Sequence, residues 1–153
     1  MKLQSVTFDL DGTLLDTALD LSVACNRMLA EMGLPGRSEA EIRRFVGKGM
    51  AVLVERCLTW EAAPEAARVE QGITIFRRCY GEENGRSAVA YPGVLEGLQA
   101  WRAAGLPLAV VTNKPMVFTE PLLRMTGLLD YFQVLVGGDS TPYKKPHPEP
   151  VLH

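Results

Sequence analysis

Leu3-Gln-Ser-Val-Thr-Phe-Asp-Leu-Asp-Gly-Thr13 decides the fold. Val6, Phe8 and Leu10 recur at the period of two that a half-buried strand requires, which predicts a strand over 3–9. Asp11-Gly12-Thr13 is a turn signal that ends it. Asp9 and Asp11 therefore stand two residues apart at a strand end, on one face if the strand is regular. Two carboxylates this close repel, and they need a cation or a shared proton. A hard divalent ion such as Mg²⁺ suits oxygen donors of this kind. Taken alone, the pair reads equally well as an acidic turn closing a strand. It does not read as a calcium loop, which needs further spaced acids and a Glu at its twelfth position.

Working outward, the next stretch is helical. Leu21, Ala24, Met28, Leu29 and Met32 recur at helical spacing over 17–32, and Gly33 and Pro35 end the pattern. Ser38-Glu-Ala-Glu41 is a capping box that starts a second helix and buries Ile42 and Phe45. Gly47-Lys48-Gly49 interrupts, and Met50, Leu53, Val54 and Cys57 mark a third helix. Pro64 stands where a fourth can begin, its stripe being Val69, Ile73, Phe76 and Tyr80. Residues 17–80 thus hold four helices and no convincing strand. Beyond the glycine-rich 81–93 the pattern changes. A helix over 94–104 leads to Leu108-Ala-Val-Val-Thr112, an apolar strand of the type buried on both faces of a parallel sheet. Another helix, started or kinked by Pro121, precedes a third strand, Gln133–Gly137. The tail 142–150 carries four prolines and no periodicity. An all-helical block lying between the first strand and the next crossover reads as an insertion in an α/β domain.

Composition bounds the function. A hydrophobic fraction of 47% with 22% charged residues excludes a disordered chain. A net charge of −2 argues against a dedicated nucleic-acid or anionic-membrane binder. The longest apolar stretch, near Leu106–Val111, falls far short of the roughly 20 residues that span a bilayer. Asp9 and Asp11 interrupt any apolar leader after Lys2, so a cytoplasmic protein is expected. Cys25, Cys57 and Cys79 sit in apolar helical patterns, form no C-x-x-C, and read as reduced core residues.

Two further segments sit at carboxyl ends of expected strands, where open parallel sheets bind ligands. Val111-Thr112-Asn113-Lys114 brings a hydroxyl, an amide and main-chain N–H groups ahead of a helix, which suits an anion, although a plain helix cap has the same composition. Lys144-Lys145-Pro146 follows the third strand. A lysine held beside proline can act as a point charge on a phosphate, though alone the pair carries no signal.

Together, Asp9-Leu-Asp-Gly-Thr-Leu-Leu-Asp-Thr17, Val111-Thr-Asn-Lys-Pro115 and Lys145-Pro-His-Pro148 resemble the three successive motifs of the haloacid dehalogenase-like phosphohydrolase superfamily. The helical insertion directly after the first motif resembles that superfamily's first type of cap. Phe45–Met50, Tyr91–Gly93 and Gly137–Asp139 through Pro142–Pro148 are most similar to its phosphoglycolate phosphatases. The resemblance implies an α/β fold: a Rossmann-like parallel sheet core, incomplete at the C-terminus, with an inserted all-helical cap domain. The core would be 1–16 and 92–153, the cap 17–81, and 82–91 a hinge. It implies a Mg²⁺-dependent phosphomonoesterase acting on a small phosphorylated metabolite, 2-phosphoglycolate. Asp9 would be the nucleophile, forming an aspartyl-phosphate. Asp11 would protonate the leaving alkoxide and then take the proton from water. Thr112 and Lys145 would hold the phosphoryl oxygens. Mg²⁺ would touch the Asp9 carboxylate and the Asp11 carbonyl. Thr13, Asn113 and Lys48 are the expected substrate contacts, Lys48 as a cap cation for a substrate anion.

The family's fourth motif, an acidic pair after a further strand, has no counterpart here. Eight residues follow Lys145, and Glu149 is the only acid among them. The expectation is therefore a fragment of a longer protein, with an exposed edge on its first strand and little phosphatase activity in isolation. Sugar-phosphate phosphatases and phosphomutases of the same superfamily, a non-catalytic phosphometabolite-binding fragment, and a phospho-accepting signalling domain are the competing readings.

Overall fold

The computed structural model describes residues 3–153; Met1 and Lys2, the latter weighed above as the charge of a leader, lie outside the described residues. The chain divides into two units, residues 1–16 with 89–153 and residues 17–88.

The first unit is α/β. Strand β1 (Val6–Phe8) is followed by the two-residue strand β2 (Leu15–Asp16), and after the helical unit by β3 (Val89–Ala90), β4 (Leu108–Val111) and β5 (Val134–Val136). β1, β4 and β5 form a parallel sheet in the order β1-β4-β5, with Val6 opposite Leu108 and Ala109 opposite Val134. β4 lies in the middle, and Leu108, Val110 and Val111 are buried, as its unbroken apolar sequence requires. β1 is shorter than expected. Leu3, Gln4 and Ser5 are exposed and unpaired in the sheet, because β1 has β4 as its neighbour on one side and its register uses residues 6–8.

β2 and β3 pair as a short antiparallel ribbon, Leu15 opposite Ala90 and Asp16 opposite Val89. The sequence shows neither strand, since two residues each are too few for a period. The stretch 82–91, expected as a linker, contains the end of a helix and β3 instead.

In the helical unit, α1 (Ala18–Glu31) packs on α4 (Ala66–Glu83), with α2 (Glu39–Phe45) and α3 (Met50–Leu58) completing the bundle. The capping box at Ser38 is formed: Ser38 Oγ accepts from the Glu41 N–H, and Glu41 accepts from the Ser38 N–H at 2.9 Å. α4 starts after Glu65, past Pro64. The Asn26 side chain clasps Arg37, accepting from its N–H at 2.7 Å and donating to its carbonyl at 2.9 Å. The Arg37 guanidinium in turn lies 3.4 Å over the Trp60 ring. All three cysteines are free and buried. A hydrogen bond between Cys25 and Cys57, and after it burial, raises the Cys25 thiol well above its ordinary range; the same bond holds Cys57 below its own range, against the effect of burial.

The rest of the first unit is helical cover. α5 (Val94–Ala103) and α6 (Met116–Met125) flank β4 in the chain, a single 3₁₀ turn (Leu129–Tyr131) precedes β5, and α7 (Glu149–Leu152) gives the proline-rich tail a final turn. α6 begins at Met116, so Pro121 lies inside it and does not start it. No helix among the described residues is long and apolar enough to cross a membrane.

Candidate active site

The carboxyl end of β1 does not continue as a regular strand through Asp11. Leu10 is wholly buried, and its carbonyl accepts from the N–H groups of Thr13, Leu14 and Leu15 at 3.0–3.2 Å. The chain folds back on that oxygen, and Gly12 N–H donates to the Leu15 carbonyl at 2.9 Å. Gly12 has φ +78°, a region that a side chain disfavours. Asp9 and Asp11 therefore project from a tight turn and not from one face of a strand. Thr13 is exposed at the same turn.

Each carboxylate has its own lysine. Lys145 Nζ lies 3.0 Å from Asp9 Oδ1, which also accepts from the Leu10 N–H at 2.8 Å. Lys114 Nζ lies 2.9 Å from Asp11 Oδ1 and 3.2 Å from Oδ2. The two pairs differ in setting. The Asp9 side chain is 37% exposed and Lys145 26%, whereas Asp11 is 12% and Lys114 4% exposed. The first pair can be approached from solvent. The second is a buried ion pair, in which removing one partner typically costs about 3–5 kcal/mol. The repulsion between the aspartates is thus offset by two ammonium groups.

β4 supplies the other half. Thr112 is buried, and its hydroxyl oxygen accepts from the Lys114 N–H at 3.2 Å, which leaves the hydroxyl proton to be donated. Asn113 spends both ends of its amide on Lys145: Oδ1 accepts from the Lys145 N–H at 2.9 Å and Nδ2 donates to its carbonyl at 3.1 Å. What Asn113 does here is tie the Lys145 loop to the end of β4. The peptide bond that follows, Lys145–Pro146, is cis.

The segment after β5 closes over the same strand end. Gly138 N–H donates to the Lys114 carbonyl at 2.8 Å, and Asp139 Oδ1 accepts from the Met116 N–H at 2.8 Å at the start of α6. A Cβ at Gly138 would lie 2.1 Å from the Asn113 carbonyl oxygen, so only glycine allows this crossing.

Asp9, Asp11, Thr112, Asn113 and Lys145 are brought together. Lys48 belongs to the other unit, exposed in the turn between α2 and α3. His147 stacks on Tyr143 at 4.3 Å and its Nδ1 accepts from the Glu149 N–H. Sequence reasoning missed Lys114 as a site residue although it stands inside a quoted motif. The available signal was a lysine directly after an apolar strand, where burial demands a counter-charge. Among the described residues no group of three or more His, Cys, Asp or Glu converges as a metal cluster.

The model of the family described as haloacid dehalogenase-like hydrolase matches residues 6–153. A phosphoglycolate phosphatase of Thiobacillus denitrificans is 45% identical over 155 residues, covering 100% of this chain and 68% of the relative. One of Nitrosospira multiformis is 46% identical with the same coverage. A crystal structure described as a predicted phosphoglycolate phosphatase from Haemophilus somnus 129pt superposes with a TM-score of 0.90 at 36% identity, over 97% of this chain and 68% of that one.

Proposed function

The chain belongs to the haloacid dehalogenase-like hydrolases, and on that premise we propose that it is a Mg²⁺-dependent phosphomonoesterase of 2-phosphoglycolate working through an aspartyl-phosphate on Asp9. The supporting observation is the juxtaposition at the carboxyl end of the sheet: one accessible carboxylate beside an ammonium, Asp9 with Lys145, and a second carboxylate, Asp11, held separately. The names of the relatives support the substrate.

Both bonds described for Asp9 fall on Oδ1. Oδ2 is the oxygen that attacks phosphorus. As that bond forms, the bond from phosphorus to the alkyl oxygen breaks, and Asp11, having taken up the proton that a monoanionic phosphate ester brings in, gives it to the departing alkoxide. In the second half Asp11 takes a proton from water, which attacks the phosphorus of the aspartyl-phosphate and releases inorganic phosphate and Asp9. Lys145 Nζ and the Thr112 hydroxyl hold the phosphoryl oxygens, where charge accumulates. Thr13 borders the entering phosphate from the turn, and Asn113 acts through the Lys145 main chain.

The donor set fits Mg²⁺, since carboxylate oxygens are hard ligands and this ion is commonly held by one or two carboxylates with water completing its octahedron. The Asp9 carboxylate and the Asp11 carbonyl would hold it, and it would neutralise charge on the phosphoryl oxygens.

The test is phosphate release by the gene product from 2-phosphoglycolate and from hexose phosphates across a Mg²⁺ titration. Asp9→Asn should lower kcat by on the order of 10⁴-fold or more. Substantial turnover by that variant sinks the mechanism. A higher kcat/KM for hexose phosphates sinks the substrate assignment and leaves the chemistry standing.

A further inference from the structure

We infer that Lys114 is a positioning residue for Asp11, a role that rests on the reading of Asp11 as proton donor and acceptor. The two residues are 103 positions apart, and Lys114 Nζ lies within 3.2 Å of both Asp11 carboxylate oxygens. An ammonium that straddles both oxygens fixes the plane of the carboxylate as well as its place. The lysine itself starts from a fixed base. Its N–H donates to Thr112 Oγ1 at 3.2 Å, and its carbonyl accepts from the Gly138 N–H at 2.8 Å and from Thr119 Oγ1 at 3.2 Å. The turn holding Asp11 is anchored independently on the Leu10 carbonyl. The pair therefore links the turn after β1 to the end of β4 through side chains that are almost wholly buried.

The geometry matters because Asp11 must serve twice. It gives a proton to the leaving oxygen and then takes one from a water approaching the same phosphorus. Both transfers need heavy atoms within about 2.6–3.2 Å. A misplacement of about 1 Å costs on the order of 10²-fold. An aspartate on a turn has freedom at both side-chain torsions, and Lys114 removes it. Lys114 is distinguished from a phosphoryl ligand by its burial. Lys145, about a quarter exposed and beside Asp9, is the lysine placed for an incoming phosphate.

The experiment is steady-state kinetics on the gene product with an alkyl ester, 2-phosphoglycolate, and an aryl ester, p-nitrophenyl phosphate. The variants are Lys114→Met, Lys114→Gln, Asp11→Asn and the double variant Lys114→Met/Asp11→Asn, with inorganic phosphate as competitive probe. The alkyl ester needs its leaving oxygen protonated and the aryl ester scarcely does. Lys114→Met should therefore lower kcat/KM, which reports the steps up to departure of the leaving group, by about 10- to 100-fold for the alkyl ester and by less than about threefold for the aryl ester. The inhibition constant for phosphate should hold. Lys114→Gln, which keeps an N–H donor, should fall between wild type and Lys114→Met, and it carries the comparison if the methionine variant does not fold. In the Asp11→Asn background, Lys114→Met should cause no further loss, because the two act as one unit. Equal losses of kcat/KM on both esters, independent losses in the double variant, or a weakened phosphate inhibition constant would each overturn the assignment. If Asp11→Asn itself leaves alkyl turnover intact, the reading of Asp11 fails. If Asp11→Asn slows it and neither Lys114 variant does, this inference alone fails.

Discussion

Replacing Gly138 by alanine tests whether the active-site end of β4 is held by direct main-chain contact. The added Cβ would sit 2.1 Å from the Asn113 carbonyl oxygen and 2.7 Å from its carbon, against the 3.0 Å below which such contacts essentially do not occur. The obstacle is backbone, so no side chain can swing away. The two segments must part, and the 2.8 Å bond from Gly138 N–H to the Lys114 carbonyl lengthens or breaks. Overpacking of this kind costs about 1–3 kcal/mol, and the lost hydrogen bond about 1 kcal/mol more. The sum, about 2–4 kcal/mol, corresponds to a fall of about 1–2 M in the urea midpoint at a slope of about 2 kcal/mol per M. The chain allows a clean reading, because its two tryptophans fall in different units: Trp60 in the helical one and Trp101 in the α/β one. In a Trp60→Phe background, Trp101 fluorescence follows the α/β unit alone. The same displacement shifts the peptide that carries Asn113 and Lys114. Phosphate affinity should therefore weaken together with stability. A midpoint within about 0.25 M of the parent value, about 0.5 kcal/mol at that slope, would refute the close approach.

Asp20, buried in the helical unit, accepts from the Gly85 N–H at 3.0 Å and the Ser87 N–H at 2.8 Å. Asp20→Asn turns one acceptor toward a donor, costs about 1–3 kcal/mol, and should quicken amide exchange at 85 and 87; unchanged exchange there would contradict the anchoring. Glu41 is held below its ordinary 4.5 by the Ser38 hydroxyl, the Ser38 N–H and the Arg37 guanidinium. The folded value is the lower one, so this contribution is present above 4.5 and is lost as pH falls through the depressed value. Ser38→Ala should accordingly lower the urea midpoint read by Trp60 at neutral pH, and the difference should close in acid; a difference independent of pH would count against the capping box. The Lys145 ammonium lies 3.0 Å from Asp9 Oδ1, where it opposes a second cation. Lys145→Met should tighten Mg²⁺ binding several-fold by calorimetry and weaken phosphate binding; unchanged Mg²⁺ affinity would show that the ion does not use Asp9.

What the amino-acid sequence determined by itself were the features set by neighbours in the chain. Period two and then Asp-Gly end β1 at a turn, Ser38 and Glu41 build a cap three residues apart, and an unbroken apolar run makes β4 the buried strand. The motif order along the chain likewise named the residues that meet at the sheet's carboxyl end. Tertiary structure alone decided how they meet. Lys114 finds Asp11 across 103 residues, Asn113 closes on the main chain of Lys145, and β2 pairs with β3 over two residues each. Gly138 is required by a crossing with a segment 25 positions earlier in the chain. None of these leaves a local pattern. A buried charge or a close backbone approach is stabilised by a partner that the fold supplies, and spacing along one segment carries no record of that partner.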